Sequence, residues 1–149
     1  MHTVLYFSPQ HLAYETRVFD VADIAELVGS HLVESLASAD RQFDFWFDSS
    51  LRGSDRPVSL DATEILLATT SFRPSTVPLL RGGVVVGTHL PDGTLGSINQ
   101  RQFDRLTQQN CVVLARHERV LTRRIVRENR RRLHVAAAGP AGTVYPASS

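Results

Sequence analysis

Phe43-Asp44-Phe45-Trp46-Phe47-Asp48 alternates aromatic and polar side chains along six residues. Successive side chains of a strand point to opposite faces, so this period predicts a strand over Gln42–Asp48. Phe43, Phe45 and Phe47 share one face, and three phenylalanines on one pleated face require a core beneath them. Asp44, Trp46 and Asp48 share the other face, which reads as solvent-facing and as a second candidate interaction surface. A second stretch, Gly82-Gly83-Val84-Val85-Val86-Gly87, is apolar at every strand position and reads as a central strand buried on both sides.

The remaining elements follow outward from these two strands. Thr3–Phe7 reads as an opening strand, and residues 8–19 show no period and are expected to form a loop. Asp20 looks like an N-cap for a helix carrying Val21, Ile24, Ala25 and Val28, with Gly29 as its stop. His31–Leu36 is a strand candidate. Leu51–Pro57 is a polar connection, after which Asp61 with Glu64 resembles a capping box for a helix that buries Ala62, Ile65, Leu66 and Thr69. Pro91-Asp92-Gly93 is a turn that folds Thr94–Gly96 back as a hairpin. Ser97 and Gln100 have capping-box spacing before a helix carrying Ile98, Phe103 and Leu106. The fold class is therefore α+β, a small mixed sheet with packed helices, followed by a C-terminal basic amphipathic helix and a disordered tail. The expected organisation is an α+β globular domain over 1–110, a basic helix over 111–134 and a tail over 135–149, where Ala, Gly, Pro and Ser dominate.

A chain of 149 residues with 42% hydrophobic and 21% charged residues is long enough for one domain with its own core. No apolar run reaches the roughly 18–20 residues of a membrane span, and no signal-peptide pattern opens the chain. A single cysteine, Cys111, fits a reducing compartment, so a cytoplasmic location without membrane contact is expected. The net charge of +1 hides an asymmetry: residues 1–64 hold four arginines against eleven acids, residues 65–149 twelve arginines against four. Every basic residue is arginine, which fits a GC-rich coding sequence and weakens any argument that arginine was chosen for its geometry.

The order of "DIAELVGSHLVESL" at 23–36, "FDFWFD" at 43–48, "RPVSLDATEILLA" at 56–68 and "LLRGGVVVGTHLPDGTLGSI" at 79–98 resembles a family of small uncharacterised domains from actinobacteria and from bacterial phages and plasmids. The positions that carry the resemblance are Val28-Gly29, Glu34, Asp44 to Asp48, Pro57, Ala62-Thr63 and Gly83 to Val86. Ser59 stands where that family often has asparagine. The resemblance covers residues 20–98, implies a fold and a mobile-element habitat, and implies no activity.

Chemistry-bearing patterns are sparse. The six histidines have no metal-ligand spacing, Cys111 has no partner for a zinc site, and no glycine loop opens a helix with a lysine as a phosphate loop requires. No metal, cofactor or catalytic motif is implied. Asp44 and Asp48 with Glu34 on the neighbouring strand invite an acid/base reading, against which a solvated face or pairing with the arginine helix stands. The feature with most functional content lies in residues 116–132, which hold eight of the sixteen basic residues. Arg116, Arg119, Arg123, Arg127 and Arg130 fall three or four apart and form one stripe on a helix, with Leu114, Leu121 and Ile125 opposite. The chain reads as a non-enzymatic binding or accessory protein that uses this helix for a protein partner or self-association. The alternative is a sequence-independent nucleic-acid-binding or anti-defence protein of a mobile element. The acidic first half is a third candidate for the counter-charge.

Overall fold

A computed structural model describes residues 1–49, 56–112 and 115–138. The elements are β1 (His2–Phe7), β2 (Ala13–Val18), α1 (Val21–Val28), β3 (Val33–Ala37), β4 (Asp44–Asp48), α2 (Leu60–Thr69), β5 (Val84–His89), β6 (Leu95–Gly96), α3 (Gln100–Val112) and α4 (Ala115–Ala138). The class is α+β. The polar connection at 50–55, Leu114, and the tail from residue 139 lie outside the described residues.

The sheet runs β2-β1-β5-β4-β3, with β6 pairing β5. Every pairing among the described residues is antiparallel, which corrects the expectation of a mixed sheet. The cause lies in the link from β4 to β5. A helix alone would carry the chain across and return it parallel. Here α2 runs down the sheet until the Thr69 carbonyl accepts from Ala39 N at 2.8 Å, and residues 70–83 climb back to the end where Val58 bridges Arg81. β5 therefore starts beside the end of β4 and runs antiparallel to it.

β5 is the central strand. Val84 and Val86 enter one core with Phe7, Phe43, Phe45, Leu66, Leu106 and Leu121, and α2, α3 and α4 cover this face. Val85 enters a second core on the opposite face with Val4, Tyr6, Val18, Ile24 and Val28, and α1 covers it. The alternating reading of β4 follows the same division. Phe45 is buried in the first core, while Trp46 packs against the second.

Three local expectations change. Residues 13–18 form a strand rather than a loop, paired with β1 from His2↔Val18 to Phe7↔Ala13. β2 is an edge strand on which only Val18 is buried, so no apolar period marks it. The cap of α2 is Ser59 rather than Asp61, because Ser59 N donates to Leu80 O at 2.7 Å and its side chain accepts from Ala62 N. Glu64 thereby leaves the capping box and turns inward. The capping box of α3 is Asn99 with Gln102, at 2.9 and 3.0 Å, since Ser97 Oγ instead accepts from Thr3 N. The remaining turns agree with the sequence. Asp20 caps α1, Gly29 ends it at φ 80°, and Gly93 at φ 88° supports the hairpin into β6.

The boundary expected at residue 110 falls inside α3, and α4 is tied into the first core by Leu121, which has no solvent exposure. Helix α4 also continues to Ala138, past the point where the tail was expected to begin. Leu121→Ala is expected to cost about 2–4 kcal/mol by urea unfolding. Val126→Ala, on the same helix but 44% exposed, is expected to change stability by no more than about 0.5 kcal/mol.

Candidate interaction surface

Helix α4 distributes its arginines by face. Leu121 defines the buried side, and His117, Val120, Arg124, Ile125 and Glu128 flank it half-buried. At 100° per residue Arg116, Arg119, Arg123, Arg127 and Arg130 lie opposite Leu121, and all five are exposed. Among the described residues none of the five forms an ion pair. The stripe extends about 21 Å at 1.5 Å per residue.

Two other charged side chains on α4 hold it to the domain. Arg124 Nη1 donates to Pro74 O at 2.7 Å and to Val77 O at 2.9 Å, gripping the returning segment after α2. Glu128 Oε2 accepts from Arg81 Nη2 at 3.1 Å, and Arg131 lies 3.6 Å from the same carboxylate. Sequence reasoning missed Arg124 and Glu128 because neither belongs to the stripe. The available signal was their position beside Leu121 and Ile125, where a long side chain can lay its stem on apolar surface and direct its head group inward.

The second candidate surface resolves into separate roles. Asp44 Oδ2 lies 2.8 Å from His89 Nδ1, within hydrogen-bonding distance. Asp48 is buried and ion-pairs Arg56 at 3.7 Å. The same guanidinium donates to Val28 O at 2.7 Å and Gly29 O at 2.8 Å, satisfying carbonyls at the end of α1. Trp46 packs among the residues under α1 with its indole N–H buried, so it is not the solvent-facing aromatic that alternation suggested. The two carboxylates sit four residues apart on β4, about 13 Å at strand rise, each engaged with its own partner. That separation removes the acid/base pair. It also leaves the arginine stripe unmatched, because Trp46 and these acids belong to the face under α1 while α4 lies on the other.

Glu64, buried on α2, is raised from its ordinary value to about 7 by loss of solvation first, then by the charges of Glu118 and Asp61. Its carboxyl therefore binds a proton more tightly in the folded chain than in the unfolded one. The stability this one carboxyl contributes is full below the usual carboxylate range and is lost as pH rises toward 7.

No group of three or more histidine, cysteine or acidic side chains able to hold a metal occurs among the described residues. No described helix is long and apolar enough to cross a membrane. Comparisons with protein-family models, curated proteins and solved structures return no match to this chain.

Glu64→Gln is expected to abolish the decline of stability between about pH 4.5 and pH 7. At pH 8 it is expected to exceed the parent by about 1–3 kcal/mol, as read by denaturant unfolding at each pH.

Proposed function

We propose that this chain is a non-enzymatic binding or accessory protein that docks an acidic protein surface, another copy included, through the exposed side of α4. The observation that carries the reading is the division of the helix: Leu121, Arg124 and Glu128 anchor one side, while five arginines present cationic groups opposite. A helix held rigidly on its inner face loses little conformational freedom when its outer face meets a partner. Exposed ion pairs contribute only about 0.2–1 kcal/mol each, so the stripe chiefly supplies orientation and rate of encounter.

One observation favours a second reading, sequence-independent contact with nucleic acid. The stripe is long and regular enough to follow a run of phosphates, which position a protein on a duplex without reading its bases. Five neutralised phosphates would give a slope of about −4 on a plot of log affinity against log salt.

Truncating the chain before α4 would remove Leu121 from the core, so substitution of exposed arginines is the cleaner test. Fluorescence anisotropy with a polyglutamate peptide and with a generic duplex DNA, each at low and high salt, compares the partner classes. Arg119→Ala/Arg123→Ala/Arg127→Ala is expected to weaken polyglutamate binding at least about tenfold without lowering stability. Tighter binding to DNA, with the steep salt slope, favours the second reading. Failure to bind either probe, with a solution mass independent of concentration, overturns both.

A further inference from the structure

The sheet separates two oppositely charged helices. On one face lies α4, whose described side chains from Ala115 to Arg131 include seven arginines against two glutamates. On the other lies α1, which with its cap carries Asp20, Asp23 and Glu26 and no basic residue. The first helix enters the core under Val84 and Val86, the second the core under Val85, so the central strand stands between them. Each is therefore available to the complementary face of another molecule.

The outer side of α1 has the shape for such a contact. Ala22, Ala25, Glu26, Gly29, Ser30 and His31 line an open groove of about 420 Å³. Small side chains at Ala22 and Ala25 permit close approach of a helix backbone, as close helix crossings require. Next to them Val21 is 45% exposed and Phe19 is 66% exposed, apolar area not used by the fold. On α4 the exposed Val126 lies beside Arg119, Arg123 and Arg130, an apolar contact set within the cationic stripe.

We infer that the α1 groove receives α4 of a second copy, with Val126 over Ala22 and Ala25 and the arginines beside it against Glu26, within the negative field that Asp20 and Asp23 add to α1. The inference rests on the reading of α4 as the working surface and names its partner. The contact joins two different patches, so it is heterologous, and copies add head to tail into a ring or an open chain. An eight-residue helix offers less than the roughly 1,200 Å² of a stable interface, so the association is weak, concentration-dependent and salt-sensitive.

Sedimentation equilibrium of the full chain at about 50 mM and about 500 mM salt reads this directly. The expected result is an average mass that rises with concentration at low salt and returns to one chain at high salt. Glu26→Arg alone, and Arg123→Glu/Arg127→Glu alone, are each expected to abolish the rise. Both sets in one chain exchange the charges of the two patches and are expected to restore it. Glu26 is exposed and not part of the helix cap, so its replacement leaves α1 intact. A parent mass that stays at one chain at low salt overturns the inference. If α4 still binds polyglutamate or duplex DNA in that case, its role as the working surface stands and only the partner is wrong. Association abolished by Arg123→Glu/Arg127→Glu but unaffected by Glu26→Arg, with no restoration in the combined chain, also overturns the α1 groove as the receiving patch.

Discussion

The burial of β5 on both faces is the constraint on which the rest of the molecule depends. Val84 and Val86 project into one core and Val85 into another, so neither face of the sheet can be left to solvent. Each face must be covered by helix. Three helices take one side and one takes the other, which partitions the chain's charge as well as its apolar surface. A strand that alternated polar and apolar residues would have allowed an open sheet face and a shared surface for the acids and arginines.

The same constraint explains why α4 is part of the domain rather than an appendage. A helix with a strongly basic composition gains little from isolated folding, and like charges three or four residues apart disfavour it. The stabilisation comes from its other side. Leu121 fills space against the first core, Arg124 satisfies two carbonyls of the returning segment, and Glu128 meets Arg81. The repulsion along the stripe is tolerated because packing on the opposite face holds the helix in place. The buried Glu64 marks a second compromise on this side of the sheet, a carboxyl whose charged form is disfavoured by burial first and then by the charges of Glu118 and Asp61.

Arg56 plays the corresponding role on the other face. Its guanidinium joins Asp48 of β4 to the carbonyls that end α1, and Gly29 and Gly82 leave room for it, since a Cβ at Gly82 would stand 2.6 Å from the Arg56 side chain. An acid that alternation placed on a solvent-facing surface is thus part of the clamp that holds α1 down. Asp44 with His89 and Trp46 beneath α1 complete the change of role for that face.

Periodicity and turn chemistry were enough to place β4, β5, the hairpin at Pro91-Asp92-Gly93, the caps of α1 and the geometry of the arginine stripe. These depend on neighbours within a few residues, where backbone period and glycine or proline stereochemistry act directly. The edge strand β2, the caps Ser59 and Asn99, the antiparallel order and the anchoring of α4 were not legible. Each is decided by a distant partner: β1 for β2, Leu80 for Ser59, Thr3 for the freeing of Asn99, and Pro74 and Val77 for Arg124. Residue spacing alone is enough to put these five arginines on one side of their helix. That this side faces outward, and that the sheet keeps it from the acids of α1 and β4, follows from long-range packing, because which helix covers which face depends on contacts between segments far apart in the chain.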